Sequence, residues 1–490
     1  VTSALAATAV LLFAQSADLR EKSERAQLWM AQQRFADAAE LYQELTRALP
    51  GNAGLLVNLG MARHMAGQDA AAVAPLEAAL RIQPAPPAFL FLGASYLRLG
   101  QPAKAIGPLR RFVAIEPKHA PARQMLADAA MTVENYAEAI PQLQRLSELE
   151  PASAAVWANL GRAYAGAARQ TFDKMPPASG YFFALAAESR SKQNQNRAAF
   201  LFYRKALEKL PRHRGLHQGL AGVYRRTGHE DWAKQEEAAE AVLGQLDCRV
   251  RPGAAECAFA AGRYQQLAAA PSPPTPEALY WRVRAYDALS RAALAKLGEL
   301  PASAESWRLQ AELARDQGRP VEAVKAWHAA HALSPADVSI ELELASALIA
   351  VKDYEEARLI ADRLIASDPE AVEFNFLMGN LWASQQQPLK ALPYLEKAAA
   401  KAPGLLPGRG VLGRVLLEAG RPGEAVAHLE AALPLDTDAS LHFQLARALQ
   451  SAGRGEEAKV AMAKYQAFRA KLGAAAEEVE AQTEITGPRR

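Results

Sequence analysis

Proline marks this chain at a near-constant interval. Pro50, Pro84, Pro117 and Pro151 are separated by 34, 33 and 34 residues, and Pro301, Pro335, Pro369 and Pro403 by 34 each time. Alanine keeps the same interval twelve residues ahead of all but Pro301, at Ala38, Ala72, Ala105, Ala139, Ala323, Ala357 and Ala391. A period of this size describes a stack of like units, each touching its neighbours, rather than one globular core. It favours an extended surface that holds partners over a pocket built for chemistry.

The unit from Pro86 to His119 shows what each repeated residue does. Phe89, Leu92, Gly93 and Tyr96 recur at helical spacing and form one apolar face. Gly93 is small where a second helix must cross closely. Gly100 breaks the first helix, and Pro102 opens the next, since proline is tolerated in a first helical turn. Ala105, Leu109 and Phe112 form the matching face of the second helix. Pro117 ends it, because the residue before proline avoids the α region. The unit is an antiparallel helix pair that cannot bury its apolar face alone, so neighbours must stack.

The same residues resemble the tetratricopeptide repeat, a 34-residue helix–turn–helix with W-x2-L-G-x2-Y, A-x3-F and P at fixed places. Trp157, Leu160, Gly161 and Tyr164 reproduce its first half. Trp307, Ala311, Ala323, Trp327, Ala330 and Pro335 mark a further unit, and Met378, Gly379, Trp382, Ala391, Leu395, Ala398 and Pro403 another. About twelve full or partial repeats cover roughly residues 19–470. The fold class expected is all-α, a right-handed superhelical solenoid of antiparallel helix pairs.

Along the chain, residues 1–17 read as a leader. Ala4 to Ala14 is an uncharged apolar stretch, with small Ala14 and Ser16 placed for cleavage before Ala17. It is too short to span a bilayer, and no positive charge precedes it. The alternative is an apolar capping helix on the first repeat. A first array is expected over 18–246, with an irregular or inserted segment near 166–195, because Pro151 to Pro211 is 60 residues. Either the unit at Ala154 has a long first helix and no normal second one, which the register from Pro211 favours, or an insertion projects. Residues 247–276 interrupt the array and hold a proline-rich run that cannot be helical. A second array follows over 277–472, ending in a charged capping pair, and 473–490 read as a flexible tail.

The two cysteines, Cys248 and Cys257, flank Pro252-Gly253, a turn that brings them within reach of each other. A bridge would pin an irregular segment and fit an oxidising compartment. The alternative is a pair of reduced thiols. The leader and the bridge point together to an exported, periplasmic or extracellular protein, with a cytoplasmic one as the alternative reading.

The net charge of +3 is too slight to argue for nucleic acid, and Lys and Arg are interspersed with Asp and Glu. No H-E-x-x-H, G-x-S-x-G or P-loop motif occurs. His213 with His217 and His328 with His331 have metal-ligand spacing but lack a third ligand nearby. No cofactor, metal or catalytic residue is expected, and repeats fill the length an enzymatic domain would need.

The resemblance implies a groove lined by the first helix of each pair and a function in binding proteins or peptides there. Asn58 and Asn159 stand at the sixth position of their units, where some family members use asparagine to hold an extended peptide backbone. Arg98, Arg162, Arg225 and Arg226 lie on first helices, where they would attract acidic or carboxylate ligands. Tyr181, Phe182 and Phe183 are a candidate contact in the irregular segment, the alternative being packing of that repeat. The reading is a non-enzymatic scaffold for protein or peptide partners. Alternatives are an accessory factor for envelope polymers, secretion or assembly, which would use exposed aromatics such as Tyr181 and Trp382, and, weakest, an enzyme hidden in the interruption.

Overall fold

The computed structural model describes residues 18–244, 246–250, 253–269, 275–481 and 484–488, so the candidate leader lies outside the described residues. These residues form helices joined by short turns, with no strand among them. Two compact units result. One comprises the described residues up to Asp173 together with those of 262–270 and Arg282–Leu297. The other comprises Lys174–Ala261, the described residues of 271–281, and those from Gly298 onward.

In the first unit, Ala53–Met65 pairs with Asp69–Ile82, Pro86–Arg98 with Pro102–Ile115, and Ala120–Thr132 with Tyr136–Leu149. The recurring alanines explain why the pairs close so tightly. Ala38, Ala72, Ala105 and Ala139 are each 0% exposed, and a larger side chain there would hold the helices apart. Leucines fill the space between, with Leu76, Leu109, Leu126 and Leu143 also fully buried, each contributing about 1.5–3 kcal/mol through loss of apolar surface to water.

The turn inside each pair needs one residue in the left-handed region. In the first unit it is Gln33, Gly67, Gly100 and Glu134; in the second it includes Gly318, Lys352, Gln386, Gly420 and Gly453. The repeat therefore fixes a backbone conformation, and glycine supplies it without strain at only some of the turns. Helix starts are closed locally: the side chains of Asn52, Asn135, Asp337 and Asp353 accept from backbone N–H groups of the first turn. Pro102, Pro320, Pro388 and Pro422 open second helices, where their missing N–H costs nothing.

A close approach repeats at one position. A Cβ on Gly60 would lie 2.4 Å from Leu76, on Gly93 2.5 Å from Leu109, on Gly379 2.5 Å from Leu395 and on Gly413 2.7 Å from Leu429. In all four the leucine is on the pair's own second helix, sixteen residues later. Gly161 breaks this rule. Ala154–Asp173 is a single helix of 20 residues with no second helix directly after it, and the sixteenth residue on is Pro177. The leucine facing Gly161 is Leu294, 2.6 Å from the position of a Cβ. Ser290 donates to the Gly161 carbonyl at 2.8 Å, and Tyr286 meets Tyr164 at 6.2 Å between ring centroids. Residues 282–297 of the helix Pro276–Glu299 thus stand in for the missing partner, with Ala293 in the same core as Leu160 and Tyr164.

In the second unit, Gly180–Lys192 pairs with Asn196–Lys209, and Leu216–Arg226 with Glu230–Val242. From Ala304 onward regular pairs resume up to Ser440–Ser451 with Gly455–Ala481. Between them in sequence lies the short helix Ala255–Ala260; a break at Gly262, with φ of 71°, separates it from Tyr264–Ala269, which belongs to the first unit. The sulfurs of Cys248 and Cys257 lie 2.07 Å apart, with Cα atoms 5.6 Å apart.

Candidate functional site

First helices of successive pairs lie side by side in the second unit. Leu406–Glu418 and Ser440–Ser451 leave a groove of about 220 Å³ between them. Leu406, Val411, Leu435 and Leu441 give it an apolar floor, and Arg414 and Gln444 supply the polar groups. The Oε1 atom of Gln444 is buried and has no hydrogen-bond partner among the described residues. Arg414 is half-buried and has no ion-pair partner among them. A buried amide oxygen left unpaired costs about 1–3 kcal/mol, and turning the Gln444 amide outward into the groove would let a ligand N–H relieve it. The Arg414 guanidinium favours a carbonyl or carboxylate oxygen. An extended polypeptide presents both.

These two residues stand where the repeat places the sequence-derived candidates. Gln444 directly precedes Leu445 as Asn58 precedes Leu59 and Asn159 precedes Leu160, and Arg414 follows Gly413 as Arg162 follows Gly161. A search of the sixth position for any amide, rather than for asparagine alone, would have found Gln444.

Asn58 and Asn159 are half-buried on Ala53–Met65 and Ala154–Asp173, and Arg162 is half-buried on the latter helix. Arg98, Arg225 and Arg226 are committed within the fold. Arg98 reaches back to the preceding pair, with Nε 3.0 Å from Asp69 Oδ2 and Nη1 donating to the His64 carbonyl at 3.0 Å. Asp69 in turn meets His64 Nδ1 at 2.7 Å, and Ser95 Oγ lies 2.9 Å from the same nitrogen. Burial pushes the His64 pKa down; Asp69 opposes that and Arg98 adds to it. Arg225 pairs with Glu230 and Glu237 of the following helix, which raise its pKa. Arg226 donates to Asn196 Oδ1 at 2.9 Å and Ser191 Oγ at 2.7 Å. These contacts join one pair to the next or one helix to its partner.

Tyr181, Phe182 and Phe183 belong to the first turns of Gly180–Lys192 and are half-buried. Tyr181 lies 5.4 Å from Tyr280 and 5.5 Å from His213, and burial pushes its hydroxyl up to about 12. Phe183 stacks on Phe202 at 6.3 Å. Phe183 thus packs within its own pair, and Tyr181 against residues beyond it. His213 sits in the turn before Leu216–Arg226, stacked on Trp281, so it does not share a helix face with His217, whose Nδ1 meets Glu236 at 2.6 Å. His331 lies 3.3 Å from Glu341. Among the described residues no three His, Cys, Asp or Glu side chains are placed to hold a metal ion, and no helix is long and apolar enough to cross a membrane.

Stacked helix pairs with a glycine–leucine crossing and a left-handed turn define an α-helical repeat solenoid. One model of the tetratricopeptide repeat matches residues 96–163, 314–380 and 383–443, and a second model of the same repeat matches 24–87, together more than half of the chain. The chain belongs to the tetratricopeptide repeat family. No curated protein matches it. Among solved structures it is similar to a mutant form of MamA, with 25% identity over 34% of this chain and 96% of that one and a TM-score of 0.29. It is also similar to YrrB, described as a TPR protein with an unusual peptide-binding site, with 19% identity over 42% and 90% and a TM-score of 0.28. Yeast Tom70 matches with 15% identity over 88% and 96% and a TM-score of 0.30.

Proposed function

We propose that this protein is a non-enzymatic scaffold that binds an extended segment of a partner protein or peptide along its first helices. The groove between Leu406–Glu418 and Ser440–Ser451 is the binding face. The observation that carries this reading is an apolar groove lined by Arg414 and by Gln444, whose Oε1 is buried and has no partner among the described residues. Peptides selected on the full chain from a random display library provide the probe. Arg414→Ala and Gln444→Leu should each weaken those peptides by about tenfold to a hundredfold, as expected for lost hydrogen bonds to a charged or buried group, with helicity unchanged. Equal affinity for the variants would remove this groove from consideration.

We further infer that the protein works in an oxidising compartment. The placing of Cys248 and Cys257, the chain's two cysteines, next to each other supports this, because bridges between such pairs persist outside the reducing cytosol. Thiol counting by alkylation and intact mass, on protein denatured without reductant directly from its native cells, should find both cysteines blocked. Two alkylated thiols would place the chain in a reducing compartment.

A further inference from the structure

Residues 473–490 read as a flexible tail from sequence, and part of that stretch, Glu484 to Pro488, makes defined contacts in the structure. The last helix runs on to Ala481, and Glu484 to Pro488, also part of the second unit, form neither helix nor strand. The Tyr224 hydroxyl donates to the Thr486 carbonyl at 2.7 Å, and Arg204 Nη1 donates to the Gly487 carbonyl at 3.2 Å. Gly487 lies against the Trp232 indole so closely that a Cβ there would come within 3.0 Å of Cε2 and Nε1. The indole cannot easily withdraw: it stacks on His229 at 4.2 Å with the rings 4° from parallel, and its edge meets Tyr224 at 5.5 Å.

The components are those of a peptide site. Arg204 is on the second helix of one pair, Tyr224 on the first helix of the next, and Trp232 on that pair's second helix. Burial raises the Tyr224 pKa, so its hydroxyl keeps the proton it donates. Two successive backbone carbonyls are taken by two fixed donors. The flat wall of Trp232 selects glycine, and proline follows it at a position that offers no N–H.

We propose that the cleft of Arg204, Tyr224, His229 and Trp232 is a recognition site for a polypeptide segment that sets a glycine against Trp232, which the chain's own residues 484–488 occupy. Entry of any other such segment is then governed by release of the tail. The site uses helices other than those of the Arg414–Gln444 groove and stands independently of it. A tethered occupant competes at a high effective concentration, so the full chain should be nearly closed to the same sequence added in solution.

The test uses a labelled peptide of residues 484–490 and the full-length protein. Gly487→Val should expel the tail and open the site to saturable binding, and the wild type should bind the peptide roughly tenfold or more weakly, as a tethered competitor dictates. A second variant, with Ile485, Thr486, Gly487 and Pro488 all changed to serine, opens the site by removing the recognised features and should behave alike. Adding Trp232→Ala to either variant should abolish binding, a peptide carrying Val for Gly should fail, and Arg414→Ala should leave the affinity unchanged. Equal binding to wild type and both variants, or no binding to any of them, would overturn the proposal.

Discussion

The pairing of Gly161 with Leu294 can be tested by the sign of one substitution in two backgrounds. Gly161→Ala places a methyl group 2.6 Å from Leu294 Cδ2 and 2.8 Å from its Cγ, inside a contact that normal packing keeps above about 3.4 Å. Overpacking of this kind costs about 1–3 kcal/mol. Against it stands the better helix propensity of alanine, worth about 1 kcal/mol. The net expectation is a loss of up to about 2 kcal/mol. Once Leu294→Ala has removed the obstructing atoms, the propensity term acts alone and Gly161→Ala should stabilise by about 1 kcal/mol. The coupling is therefore about 1–3 kcal/mol, well above the ~0.5 kcal/mol within which unconnected sites add. Urea denaturation of the four proteins, followed by circular dichroism, reads the change of midpoint; comparing signs avoids the need for strict two-state behaviour in a repeat array. Gly93→Ala with Leu109→Ala is the control, an ordinary pair with Cβ to Cγ at 2.5 Å. If Gly161→Ala has the same effect in both backgrounds while the control reverses sign, residues 282–297 do not complete the first unit.

Two further outcomes follow from the repeat turns and the polar core. His64 has a pKa lowered in the fold mainly by burial, so it is neutral where the unfolded chain would begin to protonate. Its contribution is fully present above about 6.5, the ordinary value, and is lost as pH falls towards the lower folded value. Amide hydrogen exchange around Ala53–Ile82 should therefore accelerate as pH drops below about 6.5 after correction for intrinsic rates, and His64→Gln should flatten that dependence; an unchanged slope in the variant would assign it to other groups. Lys352 holds a φ of 66° in a turn where Gly318 and Gly420 occupy the equivalent place. Lys352→Gly should raise the thermal midpoint, with a gain of up to about 1 kcal/mol, and a lower midpoint would contradict the strain argument.

Much of the fold was legible because it is local. The interval of Pro50, Pro84 and Pro117 marks the turns between pairs, and Ala72 and Ala105 mark the contact between their helices, since within-pair packing repeats whatever the rest of the chain does. The partner of Ala154–Asp173 was not legible. Pro176-Pro177 shows that no normal second helix follows, but nothing in a 34-residue register points 133 positions ahead to Leu294. The candidate groove was legible in position and less so in residue. Gln444 stands at the sixth position and Arg414 directly after the glycine, the same places in the repeat as Asn159 and Arg162. The sequence could not reveal that Arg98 is taken by Asp69 or Arg225 by Glu237, because those carboxylates belong to other helices. The tail was read from its alanine- and glutamate-rich composition, which carries no trace of the Tyr224 and Arg204 donors that seat Thr486 and Gly487.

The helix that completes the first unit also sets a timetable for synthesis. In an ordinary pair the crossing contact, such as Gly93 with Leu109, closes over sixteen residues, and the pair can form as soon as it leaves the ribosome. The hydrogen bond from Ser290 to Gly161 spans 129 residues. At about 0.6 kcal/mol for each doubling of a flexible loop, that eightfold span adds about 2 kcal/mol to the entropy of closure. Until residues 282–297 emerge, the apolar face around Leu160, Gly161 and Tyr164 has no partner, while the helix pairs of Gly180–Val242 are already free to form. The first unit is thus finished only after the helix pairs of Gly180–Val242 have been made, and its nascent form carries an open face of the kind that chaperones engage.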